Sequence, residues 1–199
     1  MNALLSLLIA YLLGAIPFGF ILVKLATGRD VRASGSGNIG ATNVLRTTGR
    51  ALGVLTLVLD IAKGYVAVWI AAILTDQDPL WMSAAALAVM AGHAFPVFLR
   101  FKGGKAVASF TGAFLYLAPV PLAAAAIVFF AVVAVTRHIS AGSMIGALVF
   151  PFGVWMILHP SWYLIAASFI ACGFILWRHK ANFERLRAGT ESVFSWRRG

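Results

Sequence analysis

"LLSLLIAYLLGAIPFGFILV", residues 4–23, is twenty residues long and carries no charge. A bilayer core of about 30 Å is crossed by a helix of roughly 20 predominantly apolar residues, so this stretch reads as a membrane span. The whole chain shares its character. Of 199 residues, 61% are hydrophobic and 11% are charged, whereas a soluble domain carries about 25% charged residues. The first 23 residues hold no Lys or Arg. The basic region that opens a secretory signal is therefore missing, and the stretch is read as a retained helix.

Outward from it, the apolar segments are 2–25, 51–73, 80–98, 106–118, 122–136, 139–158 and 162–177. Basic residues gather in alternate joints: "TGRDVRASGSGNIGATNVLRTTGR" (27–50), "RFKGGK" (100–105), "RH" (137–138) and the tail from Arg178. The joints "TDQDP" (75–79), "PVP" (119–121) and "HPS" (159–161) hold none. Lys and Arg favour cytoplasmic loops. An all-α membrane protein of seven transmembrane helices satisfies that rule, with the N-terminus outside and the C-terminus cytoplasmic. The same rule explains the net charge of +10 without nucleic acid as a partner. Residues 106–136 are too long for one span and too short for two full ones. A hairpin at Pro119–Pro121 keeps "KGGK" and Arg137 on one side and makes the first arm short or re-entrant. "FKGGK" then begins below the membrane surface, where non-helical backbone must be buried in protein or line a wet cavity. A polar pocket is expected there. With no repeat or soluble domain visible, residues 1–199 are expected to form a single transmembrane helical domain, with 178–199 as its cytoplasmic tail.

Chemistry concentrates in the basic joints. "GSGNIGATN" (35–43) satisfies G-x-G-x-x-G, but a dinucleotide site needs a strand before it and a βαβ unit around it. A spanning helix precedes it instead. The Lys of a nucleotide-triphosphate loop is also missing. Gly35, Gly37 and Gly40 let the backbone aim its N–H groups at one point, Ser36, Asn38, Thr42 and Asn43 add side-chain donors, and the start of a helix favours an anion. Arg32, Arg46 and Arg50 add charge. A tight turn with capping residues is the alternative, yet it needs fewer polar groups than stand here. In "FKGGKAVAS" (101–109), Lys102, Gly103, Gly104 and Lys105 form either a basic loop or a second anion cradle. "RHISAGS" (137–143) places Ser140 and Ser143 where hydroxyls cap helices. "WRHKANFERLRAGTE" (177–191) sets Arg178, Asn182 and Arg185 at roughly helical spacing beside His179; a snorkelling interfacial helix would look similar.

Within the spans, Asp60 and Lys63 are three residues apart and read first as a structural ion pair and second as a pocket wall. His93 is expected to be a satisfied bundle histidine, and Cys172 to be inert packing. No cluster of His, Cys, Asp or Glu has metal-ligand spacing, so neither a metal nor a cofactor is expected, and no Ser–His–Asp set is legible. His179 and Glu184 imitate the His-x4-Asp pair of the commoner glycerolipid acyltransferases, with Glu in place of Asp. Such a spacing arises by chance in a charged tail.

Taken together, "GSGNIGATNVLR", "GHAFPVFLRFKGGKAVA", "RHISAGS" and "RHKANFERLRAGTE" resemble the bacterial acyl-phosphate:glycerol-3-phosphate acyltransferase family in order, spacing and span count, from the first span to about Glu191. The resemblance implies a multi-pass enzyme of the bacterial inner membrane with its active site facing the cytoplasm. It would move a fatty acyl group from acyl phosphate to the 1-hydroxyl of sn-glycerol 3-phosphate, giving lysophosphatidic acid and phosphate. The partners implied are those two substrates, membrane lipid and a soluble synthase that supplies acyl phosphate. By the same resemblance Ser36, Gly37, Asn38, Gly40, Thr42, Asn43 and Arg46 belong to a phosphate site. Lys102, Gly103, Gly104 and Lys105 join it from the second motif and Ser143 from the third, while His179 and Asn182 hold or orient the glycerol. The hydroxyl proton goes either to His179 or to a substrate phosphate oxygen. Two rivals use the same features. A transporter for a phosphorylated metabolite would need related halves and polar residues reaching both faces, and a lipid-binding scaffold would leave the Asn and Ser of the first motif without purpose.

Overall fold

The computed structural model describes residues 1–194; residues 195–199 of the expected tail lie outside the described residues. The fold is helical: α1 (Asn2–Ala15), α2 (Phe18–Thr27), α3 (Ala41–Thr48), α4 (Arg50–Leu74), α5 (Pro79–Ala94), α6 (Val107–Leu117), α7 (Pro119–Thr136), α8 (Ile139–Leu158), α9 (Trp162–Arg178) and α10 (Lys180–Arg187). No strand occurs among the described residues. Among the described residues, five stretches are long and apolar enough to cross a membrane: Asn2–Thr27, Arg50–Leu74, Pro79–Leu99, Pro119–Thr136 and Ile139–Leu158. A sixth is reached if α9 and α10, bent by 55°, count as one span. The remaining expected segment is α6, only 11 residues long.

The first span, expected as one helix over 2–25, is broken. Pro17 pushes Ile16 out of helical geometry to ψ 113°, as a residue before proline must move. The Ile16 carbonyl then accepts from the Phe18 N–H at 3.2 Å and from Lys63 Nζ at 2.8 Å. Lys63 also pairs with Asp60 at 2.7 Å. The expected ion pair is therefore present, and it helps to satisfy a backbone group that the bilayer could not.

Helices in lipid gain little from burying apolar surface against one another and associate through close packing instead. Here α1 meets α5 at Gly14 and Gly92, and α4 meets α6 at Gly64 and Gly112; at each, the facing helix's backbone occupies the space a Cβ would need. Phe110, Phe114 and Phe150 interlock with ring centroids 4.8–5.0 Å apart and tie α6 to α8. Phe130, Trp155 and Phe169 face outward, as lipid-facing side chains do. A break at Ala118, next to the turn expected at Pro119–Pro121, separates α6 from α7, and Pro119 and Pro121 stand in the first turn of α7, where a missing N–H costs nothing. α6 ends at that break, and the "FKGGK" loop before it is tied to the end of α5.

Candidate active site

The loop from Ser34 to Gly40 is shaped by Asn43. Asn43 is 2% exposed. Its Oδ1 accepts from the Ser36 N–H at 2.9 Å, and its Nδ2 donates to the carbonyls of Val31, Ser34 and Asn38 at 2.8–3.2 Å. Asn38 Oδ1 accepts from the Gly40 N–H at 2.8 Å. Gly35 and Gly37 take φ +63° and +70°, the left-handed region that glycine enters without cost. Asn43 thus spends its side chain inside the loop and organises it. Ser36, Gly37, Thr42 and Arg46 stand exposed on its outer side, with Asn38 and Gly40 half-buried. The first amides of α3 have no partner within the helix. Arg32 is committed elsewhere, paired with Asp30 at 2.7 Å.

The "FKGGK" loop departs from the expected cradle. The Gly103 and Gly104 N–H groups donate to the carbonyls of Ala94 and His93 at 3.1 and 3.0 Å, so neither is free to meet an anion. Neither glycine has a positive φ; Arg100, Phe101 and Ala106 do, at 53°, 61° and 62°. The two glycines are needed for close approach, since a Cβ on Gly103 would meet the His93 carbonyl and one on Gly104 the His93 ring. Arg178 closes the loop from the other side, donating to both glycine carbonyls at 2.9–3.2 Å. The remaining anion donors are Lys105, half-buried, and Lys102, exposed.

The chain bends at His179, which is 2% exposed. Its Nδ1 lies 2.8 Å from the Ile175 carbonyl; that contact assigns the ring proton to Nδ1 and leaves Nε2 as an acceptor. Burial, with the charge of Lys105 adding to it, lowers the imidazole to about 4. It is neutral at pH 7. Beyond α10 the tail folds back, and Glu191 becomes the hub. Glu191 accepts from Ser140 Oγ, Asn182 Nδ2 and Arg185 Nε, each at 2.7 Å. Burial opposes its charge, but these three donors outweigh it and hold its carboxyl below the usual carboxylate range. Glu191 is not among the candidates that the sequence motifs mark. Its only signal was an acid closing a motif otherwise rich in arginine. Ser143 donates to the Ile139 carbonyl at 2.9 Å, one turn from Ser140.

These pieces converge. Burial brings Lys105 down to about 8; Glu191 opposes that shift, while Arg185, Arg46 and Arg178 reinforce it. Lys105 in turn acts on His179, and Glu191 carries Ser140 and Asn182 with it. Groups from all four polar motifs therefore share one electrostatic neighbourhood centred on Lys105. Such a site can hold phosphate groups and stabilise developing negative charge. Among the described residues no group of three His, Cys, Asp or Glu side chains suits a metal ion. A shallow hollow of about 450 Å³, lined by Trp177, Arg178, Lys180, Ala181 and Glu184, touches this neighbourhood through Arg178. Glu184 is exposed, whereas its sequence partner His179 is buried.

His93, expected to be satisfied within the bundle, faces the buried Asp60 carboxylate. Its Nδ1 has no hydrogen-bond partner and stops 3.6 Å from Asp60 Oδ1.

A family model described as glycerol-3-phosphate acyltransferase matches residues 4–189. Relatives of that name from Desulforamulus reducens and Trichlorobacter lovleyi are 46% and 49% identical, over 92% and 93% of this chain and 90% and 94% of their own. Among solved structures, PlsY (YgiH), an integral membrane glycerol 3-phosphate acyltransferase, is similar with TM-score 0.92 in its glycerol 3-phosphate form and 0.90 in its lysphosphatidic acid form. Sequence identity is 34% and 32%, over 98% of this chain and 96% of those chains.

Proposed function

Because this chain belongs to the glycerol-3-phosphate acyltransferase family, we propose that it moves a fatty acyl group from acyl phosphate to the 1-hydroxyl of sn-glycerol 3-phosphate. The products are lysophosphatidic acid and inorganic phosphate, in the first acylation of bacterial phospholipid synthesis. The observation that carries this reading is the hydrogen-bonded convergence of the second, third and fourth motifs, with Arg178 on the Gly103 and Gly104 carbonyls and Glu191 joining Ser140, Asn182 and Arg185. Two substrates that each bring a phosphate call for such a concentration of cations and donors at one end of a helical bundle.

In this reading Ser36, Asn38, Thr42 and Arg46 hold phosphate oxygens from the first loop, which Asn43 keeps in shape, with Gly37 and Gly40 leaving the backbone open to them. Lys102 and Lys105 add charge from the second loop, which Gly103 and Gly104 anchor. Ser143 lines the site from α8, and Asn182 and His179 orient the glycerol. Acyl phosphate is a mixed anhydride with a good leaving group, so positioning and charge stabilisation suffice and no covalent nucleophile is required. A general base works best with a pKa near the operating pH, and His179 at about 4 is too weak. His179 Nε2 accepts the hydroxyl hydrogen bond and aligns it, and a phosphate oxygen of the substrate takes the proton.

The test is phosphate release by the purified protein in detergent or lipid. Release is expected only when acyl phosphate and glycerol 3-phosphate are both present. Turnover driven by acyl-CoA alone would overturn the donor assignment.

The same reading places the chain in the bacterial inner membrane with seven crossings: α1 with α2, α4, α5, α6, α7, α8 and α9. The N-terminus is outside, and the site faces the cytoplasm, where a soluble synthase supplies acyl phosphate. It is supported by the gathering of basic joints at the site's end of the bundle, a crowding that a transporter with access to both faces would not need. In a background with Cys172 replaced, Gln77→Cys is expected to react with an impermeant thiol reagent from outside and Ser36→Cys from inside. The reverse pattern would invert the orientation.

A further inference from the structure

We infer that His93 is a positioning residue for Lys105: wedged between the buried Asp60–Lys63 pair and the Gly103–Gly104 turn, it fixes where the Lys105 ammonium stands. The inference rests on the reading of Lys105 as a phosphate-holding residue and concerns a side chain outside the four motifs' donors.

The loop carrying Lys105 is strained. Three non-glycine residues in left-handed geometry, Arg100, Phe101 and Ala106, persist only where the surroundings over-determine them. Those surroundings are specific. Above, Arg178 grips the carbonyls of Gly103 and Gly104 and is itself braced over the rings of Phe95 and Trp177 at 5.3 and 5.6 Å. Below, the amides of the same two glycines are tied to Ala94 and His93. The His93 ring fills the space beside Gly104 so closely that a methyl group would not fit. Lys105 is the next residue.

The ion pair on one side of His93 is complete without it. Lys63 has a structural task at the Ile16 carbonyl, and Asp60 answers its charge. His93 meets neither need. It is 4% exposed, and its Nδ1 lacks a hydrogen-bond partner while standing 3.6 Å from Asp60. What the imidazole provides is a flat, rigid support with one edge toward Asp60 and the other against Gly104.

The experiment combines kinetics with competitive amine labelling of the full-length protein in detergent, comparing Lys105 with Lys102 by mass spectrometry. His93→Leu is expected to raise labelling of Lys105 severalfold and KM for glycerol 3-phosphate about tenfold, because a small misplacement is costly at a phosphate site. The thermal midpoint should be retained. Combined with Lys105→Ala, His93→Leu should cost nothing further, the signature of two residues acting as one. Unchanged labelling with unchanged KM would overturn the inference, as would losses that add in the double variant. Should His93→Leu fail to fold, His93→Gln replaces it, keeping a polar end beside Gly104 but not the rigid ring; a raised KM with raised labelling supports the inference, and values equal to the unaltered protein overturn it. Protection of Lys105 by glycerol 3-phosphate in the unaltered protein tests the site assignment separately. If protection is absent, that assignment falls, and the labelling comparison still decides whether His93 positions the loop.

Discussion

Lys105→Ala is expected to lower kcat/KM for glycerol 3-phosphate by about 10²–10³-fold, the scale of losing one preorganised charge-stabilising donor. Arg46→Ala should cost a similar factor. The thermal midpoint should hold in both variants. Arg46 is exposed, and Lys105 is a charge that the fold disfavours, its ammonium brought from 10.5 to about 8 chiefly by burial. The sign of this shift separates function from stability. Below about pH 8 the folded protein bears the full penalty of the charged Lys105; as pH rises from about 8 toward 10.5, the folded state sheds the proton before the unfolded chain does, and this contribution to stability improves. Activity runs the other way. The ammonium that attracts phosphate disappears through the same window, so kcat/KM should fall above about pH 8. Lys105→Arg should move that falling limb upward, because a guanidinium stays protonated throughout. An identical limb in Lys105→Arg would assign it to another group, and a midpoint that collapses with Lys105→Ala would return the residue to a structural role.

The membrane character, the helical class, the Asp60–Lys63 pair and the break near Pro119 were legible because each rests on local spacing or on hydropathy along one segment. What escaped depends on contacts between distant segments. Pro17 announces a break in the first helix, but nothing near it says that Lys63 will help to satisfy the exposed carbonyl. Asn43 and Ser36 both look like donors, yet only the folded loop turns one inward as its organiser and the other outward. Gly103 and Gly104 suggest freedom of the backbone, and their actual use is proximity to His93, a residue in a different helix. Glu191 shows nothing locally of its role, because only the folded tail brings it back to Ser140. The shortness of α6 was legible too, and at 11 residues it depends on its neighbours for shelter.

That dependence makes α6 the place where one added side chain should do the most damage to the fold. Gly112 lies against the Ile61 carbonyl of α4, and Gly64 of α4 lies against the Ser109 carbonyl of α6. The contact is backbone to backbone on both sides, so no flexible side chain can move aside. Gly112→Leu must push the helices apart, and overpacking costs of about 3 kcal/mol are ordinary in a filled core. For a chain of this size that corresponds to a fall in thermal midpoint of about 6–12 °C, and Gly112→Ala should fall between this and the unaltered protein. Gly173→Ala is the control, since nothing within 4 Å would meet its new methyl; its midpoint should stay level or rise slightly, alanine being the better helix former. The consequence reaches the site, because α6 begins two residues after Lys105 and a displaced helix carries the ammonium with it. Residual folded Gly112→Leu protein should therefore show a raised KM for glycerol 3-phosphate as well as a lowered midpoint. An unchanged midpoint would mean that α4 and α6 do not meet at these glycines.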